Sequence, residues 1–144
     1  MNCSEIAVTK FKEGYNCAQS VIFSFIDKIG LSKDVALKLS NGFGAGMGRK
    51  QEVCGAISGA ILVINLLFGR GENDSKVNQE IAYAKIRDLI DNFETRYSTI
   101  SCKKLLNDCN LMTSEGQELF KSNKMIEKCY EFVEYSVKTL EKII

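Results

Sequence analysis

The chain holds no proline in 144 residues. Proline is the residue that most firmly ends a helix, so here helix ends must be set by capping side chains and glycine. Apolar residues recur at helical spacing almost throughout. The spacing predicts a short helix over Ser4–Glu13 and a second over Asn16–Ile29, ended by Gly30, with Ala18, Val21, Ile22, Phe25 and Ile29 on its apolar face. Ser32 caps a third helix carrying Val35, Ala36 and Leu39, and Asn41–Val53, with four alternating glycines, reads as a loop. Gly55–Phe68 is apolar nearly all round and should be the buried central helix. A long helix follows from Asp74 or Ser75 to about Tyr97. Short helices begin at Ser101 and Ser114, and a last one runs from about Lys124 to the end, with Ile126, Cys129, Tyr130, Val133, Val137, Leu140 and Ile144 on one face. There is no strand alternation, internal repeat, linker or low-complexity stretch. The expected fold is all-α: a single domain, residues 1–144, built as a helical bundle around Gly55–Phe68.

Composition narrows the function classes. Hydrophobic residues make up 45% and charged residues 26%, which fits a soluble globular domain. Nineteen basic against eighteen acidic residues give a formal charge of +1, which offers no electrostatic case for nucleic acid or an anionic membrane. The longest apolar run, Val53 to Phe68, is 16 residues and contains Ser58 and Asn65, too short and too polar for a membrane span. The start, Met1-Asn2-Cys3-Ser4-Glu5, has no basic stretch leading into an apolar run, so no secretory signal is expected. The expected compartment is the cytoplasm. There, six cysteines point to metal binding, redox chemistry or burial rather than structural disulfides.

Six cysteines stand beside no histidine at all. A Cys–His catalytic pair and every histidine-containing metal site are thereby excluded within the chain. Cys17, Cys54 and Cys102 each fall where a helix should start, and the unpaired N–H groups and positive dipole end there favour a thiolate. Cys54 is the strongest candidate. Gly55, Ala56, Gly59 and Ala60 follow it, small residues that let another helix or a bound group come close; tight packing around an inert buried thiol is the plainer reading. Cys17 shares a stripe with Val21 and Phe25 and so points inward or to a cavity edge. Cys102 is flanked by Lys103 and Lys104, which favour a thiolate if they lie near it and form a solvated face if they do not. Cys129 lies on an apolar helix face, a core position if taken alone. Cys3 and Cys109 have no supporting context. No pair has CxxC spacing, so any site must be assembled from separate helices.

The loop Gly42-Phe43-Gly44-Ala45-Gly46-Met47-Gly48-Arg49-Lys50 matches neither GxGxxG nor a Walker A motif, and a helix rather than a strand precedes it. Its place just before Cys54 suggests that bare backbone at Gly44, Gly46 and Gly48, with Arg49, binds an anion or small substrate beside the thiol. A flexible connector is the alternative. Glu52 is the nearest candidate proton acceptor for Cys54.

Taken together, Gly14-Tyr15-Asn16-Cys17-Ala18-Gln19-Ser20-Val21, Gly42 to Arg49, Glu52-Val53-Cys54-Gly55-Ala56-Ile57-Ser58-Gly59-Ala60, and then Cys102 and Cys129, resemble the C_GCAxxG_C_C family. This is a bacterial and archaeal family of redox proteins named for its cysteine pattern. The resemblance runs from about Ala7 to Leu140. It implies a helical fold, redox activity or metal binding, and a working set of Cys17, Cys54, Cys102 and Cys129. Val53 stands where the family name leads one to expect glycine. Cys3 and Cys109 lie outside the pattern.

Three functions follow as expectations. The first is a thiol–disulfide redox or electron-transfer protein, an oxidoreductase if it turns over, acting on a redox partner or a small-molecule substrate. Cys54 or Cys17 attacks, a second cysteine resolves, and the pair must have Cα atoms within about 7 Å. The second is zinc or an iron–sulfur cluster held by Cys17, Cys54, Cys102 and Cys129. The third is a helical binding or scaffold domain with core cysteines. A homodimer is compatible with all three.

Overall fold

The computed structural model describes all 144 residues, Met1–Ile144. The fold is an all-α single domain of nine right-handed helices with no strands. In chain order they are α1 Cys3–Lys12, α2 Cys17–Ser24, α3 Ile26–Ile29, α4 Lys33–Ser40, α5 Gly55–Phe68, α6 Lys76–Tyr97, α7 Cys102–Leu105, α8 Ser114–Ser122 and α9 Ile126–Ile143. No helix is long and apolar enough to cross a membrane.

Most helices begin where side-chain caps dictate. Asn2 and Asn16 each accept the N–H of the residue three on, and Glu5 and Gln19 reach back to the cap N–H, closing two capping boxes. Ser32, Ser75, Ser101 and Thr113 cap α4, α6, α7 and α8. Each such cap contributes about 1 kcal/mol. The helix expected over Asn16–Ile29 is instead two. Phe25 leaves helical geometry at φ −108°, ψ 16°, and its N–H turns to Ile22 at 3.1 Å. Its buried ring is the pivot between α2 and α3.

Helix α5 is the centre of the bundle, as its all-round apolarity predicts; Gly55 through Ala60, Val63 and Ile64 are all buried. Helices α2, α6 and α9 pack on it, and α1 lies across α2 and α9. The α2–α5 contact depends on missing side chains: a Cβ at Gly59 would stand 2.7 Å from the Ala18 carbonyl oxygen. Nineteen buried residues form the main core, which includes Cys54, Leu89, Phe93, Phe132 and Leu140. A second cluster has only five: Cys102, Leu106, Cys109, Leu111 and Met125.

The glycine segment is more ordered than a loop. A 3₁₀ turn at Asn41–Phe43 leads into a left-handed turn, with φ of 51° at Ala45, 66° at Gly46, 71° at Met47, 60° at Gly48 and 68° at Arg49. For an L-residue with a side chain this hand costs about 1–2 kcal/mol, so Ala45, Met47 and Arg49 store strain. Backbone bonds hold it: Gly48 N–H to Gly44 O at 3.1 Å, Gln51 N–H to Ala45 O at 3.2 Å and Glu52 N–H to Gly46 O at 2.9 Å. Glycine is required at 46 because a Cβ there would overlap the Gln51 and Glu52 backbone.

A short antiparallel stitch then joins this segment to the start of α7. Val53 and Ser101 form an isolated bridge, Cys54 N–H donates to Ile100 O at 2.7 Å, and Cys102 N–H donates to Glu52 O at 2.6 Å. Residues 48 apart in sequence are thus fixed side by side at the mouth of α5.

Candidate functional site

One cavity of about 200 Å³, partly open to solvent, lies between the two clusters. Cys17, Cys54, Cys102 and Cys129 all line it. Each comes from a different element: the first residue of α2, the N-cap of α5, the first residue of α7 and the second turn of α9. Twelve of the fourteen lining residues are hydrophobic, including Phe11, Leu105, Leu106, Leu111, Phe120 and Phe132. All six cysteines are free thiols. Cys3 lies elsewhere, against the main core, and Cys109 is buried in the small cluster, donating its S–H to Gly116 O at 3.1 Å.

Cys17 is the most supported of the four. Burial pushes its thiol up, but four backbone N–H groups, of Ala45, Ala18, Cys17 and Gly55, face the sulfur and favour the thiolate. Two helix N-termini and the left-handed turn therefore converge on one atom. Gly55 is needed for this approach, since a Cβ there would overlap the Cys17 sulfur. Asn16 anchors the other side: its amide donates to Asn41 O at 2.8 Å while its oxygen caps α2, and a Cβ at Gly44 would overlap it.

The expectation that helix N-termini lower these thiols' pKa values is overturned, because burial dominates. Cys54 is raised well above the ordinary thiol range, first by burial and next by the neighbouring Cys17, against the Ala56 N–H. Cys102 is pushed up to about 12 by burial and then Cys17, with the Gln51 side chain opposing. Cys129 is likewise pushed up to about 12, by burial, Cys17 and Cys102. No lysine acts on Cys102; Lys103 and Lys104 are exposed, and Lys104 pairs with Asp108 at 3.3 Å. Helix dipoles give a fraction of a charge over one turn, whereas an apolar cavity removes most of the thiolate's hydration.

The glycine loop's expected ligand groups lie outside this cavity. Gly44 and Gly46 are buried in backbone packing, and Gly48 and Arg49 are exposed, with no hydrogen bond or ion pair from the Arg49 side chain. The loop reaches the site through Ala45, which lines the cavity and offers its N–H to Cys17. Glu52 is exposed; it touches the site through its carbonyl, not its carboxylate.

Gln51 is a residue the sequence did not single out. It is 4% exposed, sits at φ 56°, donates to Cys109 O at 2.7 Å and accepts Leu111 N–H at 2.8 Å. Its amide thus ties the left-handed segment to the small cluster beneath Cys102. A glutamine between Lys50 and Glu52 carries no local signal of such a role.

A zinc or iron–sulfur site does not fit the sulfurs as they lie. No group of three or more Cys, Asp or Glu side chains is spaced to hold a metal ion.

The fold and the cavity define a small helical protein that gathers four thiols from distant parts of its chain. The model of the C_GCAxxG_C_C family, described as "Putative redox-active protein", matches residues 15–143, and the chain belongs to that family. The family supports a general redox role. No curated protein and no solved structure matches the chain.

Proposed function

We propose that the protein is a dithiol–disulfide redox protein in which Cys17 attacks and Cys54 resolves, with Cys102 and Cys129 as a second pair of thiols in the same cavity. The observation that carries this reading is that four cysteines from four helices line one apolar cavity. Cys17 suits the attacking role because it is less buried than Cys54 and its sulfur faces four N–H groups that favour a thiolate. Cys54 suits the resolving role because it is buried and Cys17 is the charge acting most strongly on it. Gly44, Gly46 and Gly48 shape the turn that aims Ala45 N–H at Cys17, and Arg49 stands at its outer edge. Two thiols give up two electrons and two protons as one disulfide forms, and the substrate takes up both.

The test is trapping. In Cys54→Ser, a disulfide reagent should leave a stable mixed disulfide on Cys17, whereas in the native chain it should be released with loss of about 2 mass units per internal disulfide formed. If Cys17→Ser and Cys54→Ser both keep the full redox titre, the assignment is wrong.

A further inference from the structure

We propose that the oxidant this cavity accepts is a small, uncharged, apolar organic disulfide. This rests on the thiol–disulfide reading above and names its substrate class. The four cysteines are the only ionisable side chains among the lining residues. The one polar side chain, Asn16, has its amide nitrogen on Asn41 O and its oxygen on Gln19 N–H. No side chain in the cavity is left to pair with an ammonium or a carboxylate, and the backbone N–H groups there are already turned to the Cys17 and Cys54 sulfurs, so a charge brought into this apolar space goes unpaired at a cost. Size points the same way. A cavity of about 200 Å³ holds a disulfide with a few carbons on each arm.

The exchange also leaves no charge behind. As the Cys17 S–H loses its proton to solvent, its sulfur bonds to one sulfur of R–S–S–R, and the first R–S⁻ leaves with the proton of Cys54. The Cys54 thiolate then bonds to the Cys17 sulfur. The second R–S⁻ departs and takes a proton from solvent, balancing the one first released. One substrate disulfide is reduced to two R–SH, and Cys17–Cys54 is oxidised to one disulfide.

The experiment uses the fully reduced protein without oxygen and three disulfides of matched arm length: diethyl disulfide, the dication cystamine and the dianion dithiodiglycolate. Each rate of protein oxidation is divided by that disulfide's rate with a simple thiol in solution. The expected result is that diethyl disulfide exceeds both charged reagents by at least about tenfold after this correction, because only the charged reagents must be desolvated unpaired. In Ile126→Lys, which sets a cation at the half-buried rim of the cavity, the corrected rate for dithiodiglycolate should rise relative to cystamine. Equal corrected rates for all three in the native protein, or a charged reagent ahead, would overturn the substrate class while leaving the thiol reading intact. If none of the three produces an internal disulfide, the thiol reading itself falls.

Discussion

The molecule has two apolar clusters of very different size, and its four convergent thiols sit on the seam between them. The main core joins nineteen buried residues from most of the long helices; the small one joins five, from α7, the loop after it and the start of α9. Cys54 belongs to the first and Cys102 to the second, while Cys129 packs against both. In the large cluster, Phe93 alone meets the rings of Tyr97, Phe132 and Tyr135 at centroid distances of 4.8, 5.9 and 6.1 Å. The small cluster is held instead by a few polar ties, above all the Gln51 amide. With fewer buried side chains to hold it, the small cluster is expected to open before the large one, exposing Cys102 while Cys17 and Cys54 stay placed.

Perturbing one side at a time tests this contrast. Phe93→Ala removes a fully buried ring from the main core and should cost about 3–5 kcal/mol in chemical denaturation. Alkylation mapping should then show Cys17, Cys54, Cys102 and Cys129 gaining reactivity together. Leu106→Ala, in the small cluster, should cost about 2 kcal/mol and expose Cys102 and Cys109 first, with Cys54 still protected. Parallel exposure of all thiols in both variants would mean there is one cooperative unit and no weak side.

Alkali acts on both sides at once. Cys102 and Cys129 stand near 12 when folded against an ordinary 9.0, and Cys54 and Cys17 are raised too. The folded state therefore binds these protons more tightly than the unfolded chain. The stability this gives is fully present below about pH 9 and is lost as pH climbs toward 12. The loss should be on the order of 1 kcal/mol per raised thiol for each pH unit above 9. Denaturation between pH 7 and 11 measures it, and Cys102→Ser should flatten the slope. A pH-independent midpoint across that range would show that the thiols are not held in their neutral form. The smallest effect belongs to Arg49→Ala. With its side chain exposed and unpaired, the change should stay within about 0.5 kcal/mol and leave the redox titre intact. A large loss of titre in that variant would instead restore a binding role to the glycine turn.

Helix positions were largely legible in the sequence because capping residues and glycine act locally. Ser32, Ser75 and Ser101 mark their helix starts, and the Gly55–Phe68 helix appears with the expected bounds. The break at Phe25 was not legible, since a buried ring rather than a breaker residue makes it. Nor was the left-handed turn. Its glycines invite that hand, but Ala45, Met47 and Arg49 adopt it only because the Gln51–Glu52 backbone closes over Gly46. The cysteine pattern named the four residues, whereas helical periodicity could not bring them together, because α2, α5, α7 and α9 meet only through tertiary packing. The direction of their pKa shifts is illegible in the sequence for the same reason: dipoles are a local property and burial is not.

The most direct measurement is peptide mapping by mass spectrometry of the protein after mild anaerobic oxidation with diethyl disulfide and alkylation of the remaining thiols. The expected result is a Cys17–Cys54 bridge that a reductant reverses, with Cys3 and Cys109 still free. A bridge that involves Cys3 or Cys109, or six thiols that all remain alkylatable, would contradict it.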